Sequence, residues 1–156
     1  MATTVNRFEN ISIATFNRIE SDNWACFVTD IFSRAAQAGV NIDMITQSPG
    51  VTNLLSLAFT FKDEDMPKLL GLVNDAAGIK KNPPLVNVGN VKFIIKSPEM
   101  ANNVGFAAKV FDSLKKFDCL PLLITTALDE ISLLVSESCA ADLEMELNEQ
   151  LTAVDS

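Results

Sequence analysis

FVTDIFSRAAQAG, residues 27–39, and FAAKVFDSLKKFD, residues 106–118, set the organisation of this chain. In each, apolar residues recur every three to four positions, the spacing of one helix face. At an offset of 79 residues Phe27 falls on Phe106, Ile31 on Val110, Phe32 on Phe111 and Ala35 on Leu114. The register holds beyond the helices, where Ile45-Thr46 falls on Ile124-Thr125. Internal repetition at this period means two units built alike.

Working outward, ENISIATF (9–16) reads as a strand and the stretch from about Trp24 to Ala38 as a helix, with Gly39 as its left-handed C′ residue. VNIDMITQ (40–47) and NLLSLAFTF (53–61) read as strands, the second strongly alternating, with Leu55, Leu57, Phe59 and Phe61 on one face. Asp63 is placed to cap a helix containing Met66, Leu69, Leu70 and Val73, and Pro67 falls in its first turn, where proline is tolerated. Lys80 to Pro84 reads as an exposed connection and LVNV (85–88) as the unit's last strand. Gly89 leads into VKFIIK (91–96), which opens the second unit. There follow a helix from about Asn103 to Phe117, strands LPLLITT (120–126) and EISLLV (130–135), and a helix capped by Ser136 or Ser138. That helix carries Leu143, Leu147 and Leu151. Only TAVDS comes after, so the second unit's last strand is expected to be very short or absent. The expectation is an α+β chain of two ferredoxin-like βαββαβ units, residues 9–88 and 89–156, with antiparallel sheets and helices on one face. Units this small stabilise themselves poorly, which favours packing together and dimerisation.

Composition narrows the function. The chain has 156 residues, 48% of them hydrophobic, which is enough for a packed core. Twelve Lys and Arg stand against 20 Asp and Glu, a net charge of −8 with no basic block. Nucleic acid and anionic membrane are poor partners for such a surface. There is no histidine, which removes His-based triads, shuttles and metal ligands. The six glycines form neither a dinucleotide fingerprint nor a phosphate loop, so no cofactor and no enzyme is expected. Lys62-Asp63-Glu64-Asp65 reads as a solvated helix start rather than a metal site. Cys26, Cys119 and Cys139 form no CxxC pair. MATTVNRFEN lacks the apolar run of a secretory signal, and no stretch approaches the ~20 apolar residues of a membrane helix. Reduced, inert thiols in a cytoplasmic protein are therefore expected.

In GVNIDMITQS (39–48), Val40, Ile42 and Met44 share one strand face, and Asn41, Asp43, Ile45 and Gln47 share the other. The polar row either lines a small polar site or faces water. A free amino acid would suit such a site. Its carboxylate takes N–H donors at a helix N-terminus, near Trp24 or Asn103, and its ammonium takes oxygens from Asp22, Asn23, Asp43 or Gln47. Asp22 and Asn23 in this position are more often helix caps than ligand contacts. At the 79-residue offset the row becomes Leu120, Leu122, Ile124 and Thr126. An apolar row on an edge strand is expected to be buried against another unit, within the chain or across a dimer.

The phrases AGVNIDMITQ after an amphipathic helix, GFAAKVFDSL, and ITTALDEISLLV before a terminal helix occur in an order and spacing that is similar to tandem ACT domains. More specifically, nearly the whole chain resembles the regulatory C-terminal region of aspartokinases, here expected as a stand-alone chain with no kinase domain before it. The resemblance implies a non-catalytic protein in which a free amino acid such as lysine or threonine binds between paired ACT units. The ligand would sit between the loop entering the first helix and the start of the second strand. Gln47 holds the place of an effector-contacting glutamine, Asn23 falls near a common aspartate, and Val28 falls where a backbone group meets the ligand. With Asn41 and Asp43 these are the candidate ligand-binding residues. The partners implied are the amino acid, a second copy in a homodimer and, in the alternative reading, a catalytic kinase subunit held by a degenerate module without ligand. In the second unit Leu120-Pro121 stands where the family has Asn-Ile, Thr125, Thr126 and Ala127 replace Ser-Thr-Ser, and SPEMANNVG (97–105) lacks the glycine-rich turn. A site there is expected to be altered or lost.

Overall fold

The structure, a computed structural model, describes residues 3–49, 52–75 and 82–152. Lys80 and Lys81 of the expected connection, and residues 153–156, lie outside these. The elements are β1 (Thr4–Glu20), α1 (Trp24–Gln37), β2 (Ile45–Pro49), β3 (Leu54–Lys62), α2 (Met66–Asp75), β4 (Leu85–Lys96), α3 (Phe106–Lys116), β5 (Leu123–Thr126), β6 (Glu130–Ser136) and α4 (Glu137–Leu151). Short 3-10 turns, Ser21–Asn23 and Asp63–Asp65, lead into α1 and α2.

Strands are hydrogen-bonded in the order β2-β3-β1-β4-β6-β5. The chain divides into two compact units: an N-terminal unit, Asn10–Val88, and a C-terminal unit of Gly89–Ser156 with Met1–Glu9. Numbered within each unit, both strand orders read 2-3-1-4, the ferredoxin-like plan. The pairings of β3 with β1 and β2, and of β6 with β4 and β5, are antiparallel.

The fourth strand of the C-terminal unit comes from the start of the chain. The sequence reading leaves this unit without one after Leu151, and residues 4–9 of β1 fill the place. Thr3 Oγ1 donates to Ser97 Oγ at 2.8 Å, both buried, and Val5 packs on the unit's core. Arg7 Nη1 donates to Glu144 Oε2 at 2.8 Å. Local sequence cannot reveal such a strand, because nothing near residue 5 refers to residue 97. The chain thus changes unit within β1, between Glu9 and Asn10, and within β4, between Val88 and Gly89. The first residue after each crossing is left-handed, Asn10 with φ 59° and Gly89 with φ 73°. Glycine adopts that region freely, and asparagine is among the side chains that tolerate it best.

Each core follows from strand register. In the N-terminal unit Ala14 lies opposite Phe59 and Phe16 opposite Leu57, and α1 lays Val28, Ile31 and Ala35 over them. Phe32 of α1 meets Phe59 edge-on at 5.8 Å. In the C-terminal unit Val91, Phe93 and Ile95 lie opposite Val135, Leu133 and Ile131. Phe106, Val110 and Leu114 of α3 and Ala140, Leu143 and Leu147 of α4 cover them. Side chains of this size contribute ~1.5–3 kcal/mol each when fully buried.

Helix α1 ends as expected: Gly39 has φ 78°, its N–H donates to Ala36 O, and Val40 N–H reaches back to Ala35 O at 2.9 Å. In the C-terminal unit Asp118, φ 49°, takes the glycine's place, and Cys119 N–H donates to Leu114 O at 2.9 Å. That turn corrects one expectation. Cys119 and Cys139 are not independent reduced thiols but a disulfide, with Cα atoms 6.0 Å apart. Their distance in sequence hid the pairing, since it arises only when the α3–β5 connection meets the first turn of α4. Cys26 is free and exposed. No helix among the described residues is long and apolar enough to cross a membrane.

Candidate ligand site at the N-terminus of the first helix

Chain direction reverses between β1 and α1 over Ser21–Asn23, where Ser21 N–H donates to Asn53 O at 2.8 Å. Asn23 is the N-cap of α1 (φ −105°, ψ 3°), and its side chain makes no capping hydrogen bond. Asp22 and Asn23 are both exposed. The first N–H groups of a helix have no intrahelical acceptor. Here the 3-10 turn takes that of Trp24, which donates to Ser21 O, and the next are those of Ala25 and Cys26. The indole Nε1 of Trp24 is buried without a hydrogen-bond partner among the described residues. This end of α1 therefore offers several donors and the positive end of the helix dipole.

Val28 lies one turn further on. Its side chain is buried in the core, and its N–H falls inside the helical ladder. The main-chain donors at the helix start are those of Ala25 and Cys26, next to the Trp24 position where the sequence places the helix N-terminus. Capping geometry, which propensity does not fix, was the missing information.

Gln47 sits in β2, directly opposite Leu57, which in turn lies opposite Phe16 of β1. Directly paired residues share a sheet face. Gln47, Leu57 and Phe16 thus form a row on the helix-facing side, and the ring of Phe16 meets Phe27 of α1 edge-on at 5.5 Å. Gln47 is the exposed polar end of that row. Asn41 and Asp43 are also exposed, but they precede the ladder. The expected strand over 40–47 is shortened to Ile45–Pro49 because two successive residues meet Thr60. Asp43 N–H donates to Thr60 O and Met44 N–H to Thr60 Oγ1, while Thr60 N–H donates to Met44 O. Such an extra residue interrupts the pleat. The pairing therefore fixes Ile45 and Gln47, and not Asn41 and Asp43, to the helix side.

The equivalent positions of the C-terminal unit are chemically different. Leu122 N–H donates to Leu134 O at 2.7 Å, repeating the bond of Asp43. Leu120 is 80% exposed and Leu122 39%. Of the expected burial within the chain or across a dimer, the first is overturned: both leucines are exposed, on the segment before β5 that lies outside the ladder. Asn103 Oδ1 accepts from Gly105 N–H at 3.0 Å, so an asparagine closes the loop before α3. No group of three or more His, Cys, Asp or Glu among the described residues is arranged to hold a metal ion.

Two ferredoxin-like units of this order, each with its helices over one sheet face, define an ACT-type regulatory fold. The chain is similar, over nearly its whole length, to the crystal structure of the ligand-free regulatory subunit of aspartate kinase from Thermus thermophilus, with a TM-score of 0.83 and 18% identity, covering 96% of this chain and 99% of that one. A structure of aspartokinase alpha and beta subunits matches with a TM-score of 0.80 and 18% identity, covering 96% of this chain and 98% of that one. In sequence, an aspartokinase of Geobacillus stearothermophilus is 27% identical over 122 residues, 78% of this chain and 29% of the relative. The chain thus spans less than a third of the length of the curated relatives it matches. No protein-family model matches it. Its fold is that of the regulatory part of aspartate kinase and not of the catalytic part.

Proposed function

We propose that this chain is a non-catalytic, cytoplasmic regulatory protein that binds a free lysine- or threonine-like amino acid and acts as a homodimer. The observation that carries this reading is the meeting of two features in the N-terminal unit. Helix α1 starts with an N-cap side chain that makes no cap bond, and Gln47 ends the row of side chains running beneath that helix. The ligand carboxylate takes the N–H groups of Ala25 and Cys26 and the unpartnered Trp24 indole Nε1–H. Its ammonium takes the Gln47 carboxamide oxygen, with the Asn23 side-chain oxygen as a further acceptor; Asn41 and Asp43, before the ladder, lie outside the contact set. Val28 supports the helix from the core side. The net charge of −8, with Glu20 and Asp22 exposed beside the helix start, favours a cationic side chain such as that of lysine.

Melting of the purified chain against each of the twenty amino acids tests the proposal. A true ligand at 100 times its dissociation constant adds ~2.7 kcal/mol to the unit that binds it. Gln47→Ala should abolish the shift and leave the unliganded melting temperature unchanged. No shift with any amino acid would overturn the reading.

The exposure of Leu120 and Leu122 favours a second reading, in which the C-terminal unit is an assembly module that holds a kinase-type catalytic subunit and binds no ligand. Under this reading an aspartokinase-type catalytic subunit co-purifies with the chain, amino acids make no difference, and Leu120→Asp breaks the complex.

A further inference from the structure

We infer that Cys119 and Cys139 form a reversible redox latch in the C-terminal unit, fastening the exposed Leu120–Leu122 segment to helix α4 when oxidised and releasing it when reduced. Cys119 follows the left-handed end of α3 and is 5% exposed. Cys139 lies in the first turn of α4 and is half-buried. The bond joins them across 20 residues of sequence.

The fold does not need this bond, as the N-terminal unit demonstrates. Val40 makes the backbone hydrogen bond there that Cys119 makes here, to Ala35 and Leu114 respectively. Matching Thr60 to Leu134 through their bonds to Asp43 and Leu122 sets Asp65 in the place of Cys139. Val40 and Asp65 are both buried and cannot be linked covalently, yet that unit closes its core. A cross-link added to a scaffold that packs without it must serve something other than packing.

The link governs the segment that follows Cys119. Among the described residues, the backbone between Cys119 and β5 is held by one N–H bond, Leu122 to Leu134, and Pro121 has no N–H to offer. Leu120 lies open to solvent, so its side chain adds no anchor. The disulfide is therefore the strongest tether of the stretch that displays Leu120 and Leu122. Intracellular disulfides are typically transient, which suits a latch.

The chemistry is thiol–disulfide exchange with a low-molecular-weight disulfide, RSSR. The thiolate of Cys139, the more accessible sulfur, attacks one sulfur of RSSR; the S–S bond breaks and RS− leaves, taking a proton from water. The thiolate of Cys119 then attacks Cys139 Sγ and expels the second RS−. Two protein thiols lose two electrons and two protons, and RSSR is reduced to two RSH. Excess thiol reverses both steps.

The test uses the full chain in buffers of oxidised and reduced glutathione spanning a range of potentials. Thiols are trapped by alkylation and counted by intact mass, with Cys26 as the always-free control. The expected result is a reversible transition between one and three alkylated thiols. Hydrogen exchange at residues 119–123 should rise about tenfold or more on reduction, with residues 131–135 unchanged. Cys119→Val, which installs the residue of the other unit, should show the fast exchange at 120–123 at every potential while keeping protection at 131–135. Three free thiols at every potential, one free thiol at every potential, or exchange at 119–123 that ignores the redox state would each overturn the inference.

Discussion

Removing residues 1–9 should unfold the C-terminal unit selectively, although every residue removed precedes the N-terminal unit in sequence. The loss has three parts. The buried Thr3–Ser97 hydrogen bond is worth ~1 kcal/mol. Val5, partly buried against the core, contributes about half of a full valine burial, or ~1 kcal/mol. The backbone of residues 4–9, paired beside β4, gives up two or three hydrogen bonds, ~2 kcal/mol together. The part-buried ion pair of Arg7 with Glu144 is left out of this estimate. The total of ~4 kcal/mol is a large share, about a quarter to four fifths, of the 5–15 kcal/mol that stabilises an ordinary domain. At ~1.4 kcal/mol per decade, amide exchange in residues 91–95 and 131–135 should accelerate about a thousandfold. Residues 57–61, in the core of the N-terminal unit, should keep their protection. Mass spectrometry of exchanged peptides reads both at once. If residues 131–135 stay protected to within a few-fold, β1 does not complete that sheet and the division of the chain into these units is wrong.

Other consequences follow from single residues. At Gly89 an added Cβ meets nothing within 4 Å, so Gly89→Ala isolates the backbone cost of φ 73° and should destabilise by ~1 kcal/mol in denaturant melts. Asn10→Gly should be near neutral, and Asn10→Val should cost ~1–2 kcal/mol through the same left-handed geometry. Phe59→Ala removes a fully buried ring that touches Phe16, Phe32 and Phe61, and should cost ~3–5 kcal/mol in the same assay. The hydrogen bond from Lys116 to Glu146 raises the lysine pKa above its ordinary 10.5. A raised folded-state pKa stabilises fully below the unfolded value and is lost as pH rises through the folded one. Melting temperature should therefore not respond to this pair between pH 7 and 9, and Lys116→Gln should blunt the decline above 10.5.

How far the fold could be read from the sequence depended on whether each signal was local. Helices and central strands were legible because their cores are periodic: Phe27, Ile31 and Ala35 in one unit and Phe106, Val110 and Leu114 in the other sit where 3.6-residue spacing puts them. Gly39 was legible because only a left-handed turn explains a glycine after an apolar helix. The fourth strand of the C-terminal unit and the Cys119–Cys139 pairing were not, since each joins segments that share no local pattern. Within the candidate site, Gln47 could be placed by register, whereas the interruption at Asp43 and Met44 could not. That interruption depends on Thr60, whose hydroxyl accepts a main-chain N–H that a plain strand would have paired elsewhere. The capping state of this helix start was hidden for a related reason. Asparagine before a helix usually caps it, and only the side-chain geometry of Asn23 reveals that it does not.

The two units share one backbone plan and put opposite chemistry on the same positions, and that contrast constrains function more than either unit does alone. Asn41 and Asp43 are exposed where Leu120 and Leu122 are exposed, on segments held by equivalent main-chain bonds. Backbone requirements therefore explain neither set. Solubility would favour the polar set in both units, because each leucine left in water forgoes ~1.5–3 kcal/mol of available burial. Pro121 between the leucines blocks the edge pairing by which an apolar strand aggregates, which a merely neglected surface would not need. A segment that is apolar and yet guarded against indiscriminate pairing has the character of a contact surface. The polar segment, with its side chains exposed, fits the small-molecule site proposed for the N-terminal unit. One backbone plan serves both units, and the chemical difference is confined to a few positions beside β2 and β5.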